Sequence, residues 1–455
     1  MPLNVEPLSV GPLVGAVSPA TARLWGRGPD LRSSGSLRRV FGAARLREAG
    51  GTFGAPQWFK LNPNFDLTGV TVFQGLRADS PYEYEIGALV CDLEFDDLPA
   101  QADLNWQRAH RGGFRTASSD VTASRSFVFG SCRYLLRLFG GSWFDDRGDK
   151  TFRSILEQVD TGRRTDQLFL LGDQIYADDL NFLLPDRAAD EYMARYRDVF
   201  SQRHFANLVS RVPTYMTLDD HEIEDNWPAR ATGKDRMKKY PAAIHAYKCY
   251  QLSHSPLFPF GGEGRLQEEP LHLWYQFEDG CCEFFVMDTR TERLYDESDV
   301  RIRIINEAQM DALKSWLADG SGRVKIVATS VPFFPDLRGP GGDRWDSFPS
   351  QRNEILDHIR DRQIRRVVFL SGDVHSSMSA ELVRADEPQC HFRHFFALLL
   401  ALSAQLAGGF SAHGGTGPRP RLRVGQGQRH LLDGHLHARH RGPAGPARRI
   451  FRTQE

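Results

Sequence analysis

The sequence predicts a two-part chain, a small antiparallel β-sandwich followed by an α/β layered domain, and three observations carry that prediction. Short runs of strict apolar–polar alternation fill residues 10–116, and apolar runs without alternation begin at about residue 125. Between them lies a small, polar stretch, Ala117-Ser118-Ser119-Asp120-Val121-Thr122-Ala123-Ser124, which reads as a linker. At 455 residues the chain has room for two or three domains with ample core.

In the first part, Thr21–Trp25, Gly69–Phe73 and Tyr82–Ile86 alternate between Gly, Pro and Asn punctuation, as half-buried antiparallel strands do, so residues 1–117 are expected to form a β-sandwich. The stretch Gly75-Leu76-Arg77-Ala78-Asp79-Ser80-Pro81-Tyr82-Glu83-Tyr84 resembles the corner of a fibronectin-like module. In the second part, Phe127–Phe129, Leu168–Leu171, Phe284–Met287, Val324–Val327 and Val367–Leu370 suit strands buried on both faces. Asn306–Asp319 reads as a helix between two of them, with Met310, Leu313 and Leu317 on one stripe and Gly320 as its stop. Residues 125–390 are therefore expected to form the catalytic domain.

From residue 391 the pattern is lost. Residues 411–455 hold nine Arg, five His, eight Gly and four Pro against only Asp433 and Glu455 as acids. Three readings fit this segment, residues 391–455: a disordered terminus, a basic tail that touches anionic surfaces, or translation out of frame of GC-rich DNA. In none of them do His413, His430, His435, His437 and His440 find a strand or helix to orient them, so no catalytic residue is expected there.

Charge excludes a strongly basic nucleic-acid surface, since 57 Lys+Arg stand against 58 Asp+Glu, and no sequence-specific nucleic acid is expected as a partner. The start, Met1-Pro2-Leu3-Asn4-Val5-Glu6-Pro7, lacks the positive and apolar regions of a secretory signal, so the chain as written is expected in the cytoplasm, with export requiring an upstream start. The longest apolar stretch, Phe395–Ala407, contains Ser403 and Gln405 and falls short of the roughly 20 residues of a membrane span. Six cysteines, at 91, 132, 249, 281, 282 and 390, are scattered without metal-finger or disulfide spacing. A monomer is expected.

Four of the apolar strands run directly into polar clusters: Gly130-Ser131-Cys132, Gly172-Asp173-Gln174-Ile175-Tyr176, Leu218-Asp219-Asp220-His221-Glu222 and Gly372-Asp373-Val374-His375. In open α/β sheets the carboxyl ends of strands converge on one crevice, which can bring these clusters together. Thiolate, phenolate, carboxylate and imidazole then share one site, a donor mixture that suits a trivalent iron beside a hard or borderline divalent ion. Taken singly each cluster has an ordinary explanation, a helix cap for Gly-Asp, packing for a lone Cys, a turn for Asp-His. Four of them, each after a buried strand, make the joint coincidence improbable.

With these residues the chain resembles the PhoD-like alkaline phosphatases, within the calcineurin-like metallophosphoesterase superfamily. The resemblance spans roughly residues 8–385 and adds Asp288-Thr289-Arg290 and Trp345-Asp346-Ser347-Phe348-Pro349 to the clusters above. It implies a four-layer α/β sandwich, two mixed sheets flanked by helices, preceded by the fibronectin-like β-sandwich. It also implies a phosphoric ester hydrolase acting on monoesters, diesters or both, with two or more metal ions, Fe3+ with Ca2+ or another divalent ion such as Zn2+, Mn2+ or Mg2+. Residue by residue, it implies that Asp173 bridges two metals, that Cys132, Tyr176 and His375 complete the iron site, and that Asp220 and Asp373 serve the second metal. Asp346 is a further ligand candidate, and His221 is implied to contact phosphate or protonate the leaving alkoxide. Cys132 stands where the wider superfamily carries Asp-x-His, and Asp373 replaces the first His of its last block.

Elementary chemistry agrees with that set. A phosphate ester repels hydroxide, and two adjacent cations neutralise the phosphoryl oxygens while acidifying a water. Arg290, on the Asp288-Thr289-Arg290 turn at a strand end, is a candidate for a bidentate phosphoryl contact, with a surface pair to Asp288 or Glu292 as the alternative. Against the hydrolase stand two alternatives, a noncatalytic binding or adhesion protein that uses its β-sandwich, and an inactive truncated homologue. The first has no need for Cys, Tyr, Asp and His after separate core strands.

Overall fold

The computed structural model describes residues 3–31, 39–98, 104–138, 143–145, 147–178, 186–261, 268–295, 301–334, 343–373, 375, 378–383, 391–396 and 434–436. The first part carries strands β1 Leu3–Asn4, β2 Val10–Val17, β3 Thr21–Arg27, β4 Arg39–Glu48, β5 Gln57–Lys60, β6 Thr68–Gln74, β7 Pro81–Cys91, β8 Leu104–Asn105 and β9 His110–Arg115. Seven of them form two antiparallel sheets, β2-β3-β6 and β5-β4-β7-β9, and β1 pairs parallel with β8. The alternation seen in the sequence has a direct consequence here, because successive side chains leave opposite faces of a strand. Val14, Leu24, Phe73, Phe59, Tyr84 and Ile86 fill the space between the sheets. Their neighbours Leu13, Trp25 and Val72 face outward into the second part of the chain.

The second part runs β10 Arg125–Gly130, β11 Leu136–Leu138, β12 Trp143–Asp145, α1 Arg147–Asp160, β13 Gln167–Leu171, α2 Ala189–Phe200, α3 Arg203–Val209, β14 Thr214–Thr217, α4 Tyr240–Tyr247, β15 Tyr275–Asp279, β16 Cys282–Val286, β17 Leu294–Tyr295, β18 Arg301–Arg303, α5 Glu307–Ala318, β19 Val324–Thr329, α6 Pro349–Asp361, β20 Val367–Ser371, β21 Met378–Val383, β22 His391–Phe396 and β23 Gly434–Leu436. Two mixed sheets result, β14-β13-β10-β23 and β15-β16-β19-β20-β22-β21. Phe127, Phe129 and Phe169 of one sheet meet Phe284, Ile326 and Leu370 of the other in a shared core. The opposite face of the first sheet, with Leu168, Leu170 and Met216, packs on Phe152, Tyr196, Phe205 and Tyr247 of the helices. The opposite face of the second, with Phe285, Val327 and Phe369, packs on Leu313 and Trp316 of α5 and Ile355 and Ile359 of α6. The layers are therefore helix, sheet, sheet, helix, and the uninterrupted apolar runs are strands covered on both sides. The α5 helix starts where Asn306 accepts the Gln309 N–H at 2.8 Å, a side-chain cap that satisfies an otherwise unpaired donor.

Three boundaries differ from the sequence expectation. The second sheet does not stop at residue 390: β22 pairs parallel with β20 and antiparallel with β21, so a central strand lies in the segment expected to be a tail. Residues 434–436 of that segment pair antiparallel with β10, and the remainder of 397–455, with His413, His430, His437 and His440, lies outside the described residues. Residues 117–124 are stitched down rather than free, since the Ser118 N–H donates to Asp279 at 2.8 Å and the Cys281 N–H to the Ala123 carbonyl at 2.9 Å.

The β-sandwich and the layered part also share one core. Trp25 sits among Phe200 and Tyr250, and its Nε1 donates to the Cys249 carbonyl at 2.8 Å. Tyr84 donates to the Ser210 carbonyl at 2.7 Å. Asp66 accepts from Arg27 at 3.0 and 3.1 Å, from Arg197 at 2.7 Å and from the Tyr250 hydroxyl at 2.5 Å, which joins both parts in a buried ionic cluster. Among the described residues no helix is long and apolar enough to cross a membrane.

Candidate metal centre

Strands β10, β13 and β14 run parallel in one sheet, and β16, β19 and β20 run parallel in the other. Their carboxyl ends deliver the polar clusters to one edge of the double sheet. Cys132 follows β10, Asp173 follows β13, Asp219 and Asp220 follow β14, and Asp373 and His375 follow β20. Cys132, Asp173, Asp373 and His375 all adopt left-handed backbone, with φ of 58°, 56°, 69° and 50°. Non-glycine residues avoid this region unless the surroundings hold them, and such positions gather at functional sites. Gly172, at φ 95°, makes the Asp173 turn possible, because a Cβ there would lie 2.4 Å from the Asp219 Cβ.

Donor atoms within 4.8 Å of one another define four overlapping groups among the described residues: Cys132, Asp173 and His375; Asp173, Asp220 and His221; Asp173, Asp219 and Asp373; and Asp178, His221 and Asp225. Asp173 belongs to the first three, and His221 links the fourth to them. The Cys132 Sγ stands 3.3 Å from Asp173 Oδ2, and the Tyr176 hydroxyl 3.4 Å from the His375 Nε2. Tyr176 lies tilted against the His221 ring, centroids 4.3 Å apart, and edge-on to Tyr134 at 4.9 Å.

The electrostatics of this cluster are unbalanced. Burial, then the neighbouring carboxylates, pushes the Cys132 thiol and Asp373 well up; burial, then the Cys132 thiol with Asp173 and Asp220, does the same to Tyr176; and for Asp173 burial, with Asp219, Asp220 and Glu222, outweighs the opposing His221 charge. Burial also lifts Asp219, to about 6, although Arg290 opposes it. For Asp220 burial is outweighed by Arg290, His221 and the Asn226 N–H, which hold it down to about 2. Among the described residues Asp173 Oδ1, Asp219 Oδ2 and Asp220 Oδ1 are buried with no hydrogen-bond partner, although Asp220 Oδ1 faces the Arg290 Nη2 at 3.4 Å. Buried carboxylate oxygens without donors are costly, and cations bound among them would satisfy all three at once. The residues present therefore fit a metal centre.

Two of the expected residues stand elsewhere. Arg290 is fully buried, its Nε on Asp219, its Nη1 on the Trp227 carbonyl at 3.0 Å and on Asp343, and its Nη2 3.4 Å from Asp220. It braces the carboxylates from behind and offers no exposed edge to a phosphoryl group, because burial, invisible in the sequence, turns it inward. Asp346 is held by its neighbour Arg344, at 3.2 Å from Nε and 3.0 Å from Nη2, and belongs to none of the ligand groups among the described residues.

Other residues were not foreseen. Asp219 enters the cluster beside Asp220 and also accepts the Ser330 hydroxyl at 2.9 Å. Asp178, two residues past Tyr176, faces the His221 Nδ1. The doubled acid at the end of β14 was the available signal for the first, and the acid closing the Tyr176-Ala177-Asp178 stretch for the second.

A family model described as PhoD-like phosphatase matches residues 136–403, more than half of the chain. The chain belongs to the PhoD-like phosphatase family. The match continues past residue 385, where the resemblance read from the sequence had ended. Within this PhoD-like chain, 220 residues are 26% identical to alkaline phosphatase D of Bacillus subtilis (strain 168), covering 42% of the chain and 36% of that protein. The chain thus aligns with little more than a third of that relative's length. A solved structure of PhoD superposes with a TM-score of 0.66 at 19% identity, over 87% of this chain and 77% of that one. Purple acid phosphatase PPD1 from yellow lupin (Lupinus luteus) seeds superposes with a TM-score of 0.56 at 11% identity, over 86% and 64%. At these identities the two superpositions establish the shared fold of this PhoD-like chain.

Proposed function

We propose that the chain is a metal-dependent phosphoric ester hydrolase with a dinuclear centre, acting on phosphomonoesters, phosphodiesters or both. One observation carries the proposal: the Asp173 carboxylate is common to three donor groups, and its Oδ1 has no hydrogen-bond partner among the described residues. A carboxylate that must satisfy donors on two sides is what a bridging ligand supplies. Cys132, Tyr176 and His375 on one side and Asp219, Asp220 and Asp373 on the other would hold the two ions, with Fe3+ favoured at the thiol and phenol side and Ca2+ or another divalent ion opposite. When bound, such ions supply neutralisation of phosphoryl charge and acidification of a water.

The chain's own groups do the rest. Asp178 accepts from the His221 Nδ1 at 2.8 Å, which fixes the ring and leaves Nε2 as the nitrogen that holds the transferable proton. Burial lowers the affinity of His221 for that proton, but Asp220, Asp173 and Asp178 overcome it and keep the ring protonated well above its ordinary range. A protonated imidazole beside the cluster suits general-acid donation to a leaving alkoxide. Arg290 keeps Asp219 and Asp220 in place from the buried side. The same reading takes the N-terminal sandwich as a fibronectin-like module, supported by its three-plus-four strand arrangement.

Metal analysis of the purified chain together with a panel of aryl, alkyl and diester phosphates tests the proposal. Two metals per chain and hydrolysis that stops on chelation are expected. A metal-free protein, or hydrolysis indifferent to chelators, overturns it.

A further inference from the structure

We propose that Glu222 is a positioning residue that sets the metal affinity of the centre by pinning the two turns that carry Asp173 and Asp219. The inference rests on the metal-binding reading above. Glu222 is buried, at 1% exposure, and its two oxygens accept four hydrogen bonds. Oε2 takes the N–H of Asp173 at 2.9 Å and of Asp219 at 2.7 Å; Oε1 takes the N–H of Gln174 at 2.6 Å and the Nε2 of Gln251 at 3.0 Å. Three of these donors are backbone groups from the ends of β13 and β14, so one carboxylate ties together two strand ends that the sheet alone leaves free.

A carboxylate with both oxygens occupied has little left to offer a metal or a substrate. Its effect is on the backbone. Gly172 and Asp173 are consecutive left-handed residues, and a conformation of that kind persists only where its surroundings over-determine it. Glu222 supplies that constraint at the residue shared by three of the donor groups. The clamp is itself anchored. The Gln251 Nε2 also donates to the Tyr196 hydroxyl at 3.0 Å, Tyr196 stacks on Tyr250 at 5.0 Å and 8°, and the Tyr250 hydroxyl reaches Asp66 of the β-sandwich.

The test measures metal dissociation constants of the full chain by chelator competition, for the wild type and for Glu222→Gln, with thermal midpoints of the metal-free proteins alongside. The carboxamide keeps the size of the side chain but turns an NH2 toward backbone N–H groups. Metal binding about 10- to 100-fold weaker, with a metal-free midpoint close to wild type, is expected, the usual range for groups that orient ligands. Glu222→Asp, which keeps the charge but shortens the reach, should regain part of that loss. If Glu222→Gln yields no folded protein, Gln251→Met removes one anchoring donor, and an affinity loss of about 2- to 10-fold is then expected. Unchanged affinity in the folded variants overturns the role of Glu222 while the metal-binding reading stands. A wild-type chain that takes up no metal overturns both.

Discussion

The Nδ1 of His221 lies 2.8 Å from both carboxylate oxygens of Asp178, while the face of the same ring leans on Tyr176. The imidazole is thus held by its far nitrogen and by its plane, with Nε2 as the atom left for chemistry. Replacing His221 by Asn should slow hydrolysis of alkyl esters by roughly 10² to 10⁴ with metal content intact. Activated aryl esters, whose leaving groups need no proton, should lose much less, and equal losses for both ester classes would contradict the acid role.

Asp178→Asn should keep the ring in place but replace one of the two carboxylate acceptors at Nδ1 with an NH2 donor and remove the charge that favours the protonated ring. Turnover should fall with little change in KM, and metal content should again be unaffected. A variant with wild-type turnover on alkyl esters would show that His221 is oriented by its stacking on Tyr176 alone.

Asp173→Asn should strip metal and activity together, because among the described residues Asp173 alone is shared by three of the four donor groups. Elemental analysis decides the matter; two metals per chain with near-normal turnover would be incompatible with a bridging role.

Phenolate and thiolate stabilise ferric iron, so the metal-replete protein should be coloured, and Tyr176→Phe should shift or abolish the visible band. A fully active, colourless and iron-free preparation would remove iron from the proposal and leave the divalent ions.

His254 at the interface is buried, and burial first, then the Arg23 charge, lowers it to about 3 against the Tyr250 carbonyl. The folded state therefore binds fewer protons than the unfolded one below about pH 6.5, and stability falls as pH drops through that value toward 3. Between pH 6.5 and 5 the loss from this group should be about 2 kcal/mol. Urea midpoints across that window should flatten in His254→Gln, and an unchanged slope would acquit the histidine.

Asp66→Asn should destabilise the whole chain by about 3 to 5 kcal/mol, since it leaves the buried Arg27 guanidinium without its counter-charge. A loss under 1 kcal/mol in chemical denaturation would mean that Arg197 and Tyr250 hold the junction without it.

Much of this architecture was legible because strands buried on both faces and strands buried on one face read differently in the sequence. Cys132, Asp173 and Asp373 could be nominated because each ends such a strand after a glycine or a glycine-serine pair. Arg290 could not be read correctly, since nothing in Asp288-Thr289-Arg290 tells whether the guanidinium points to solvent or between Asp219 and Asp343. Asp219 could not be nominated beside Asp220, because the sequence does not show that the turn after β14 buries both carboxylates in the cluster. The junction was hidden for a related reason. Alternation in β3 announces that Trp25 has a buried side, but not that its cover comes from residues 200 and 250.

That cover arrives late in synthesis. When residue 115 has left the ribosome the sandwich is complete, yet Leu13, Trp25, Val70 and Val72 still await the helical segment that ends at residue 252. At about 5 to 20 residues per second, the roughly 140 residues in between take on the order of ten seconds to be made. For that interval the nascent chain carries an open apolar face, and a cell producing this protein must shield it.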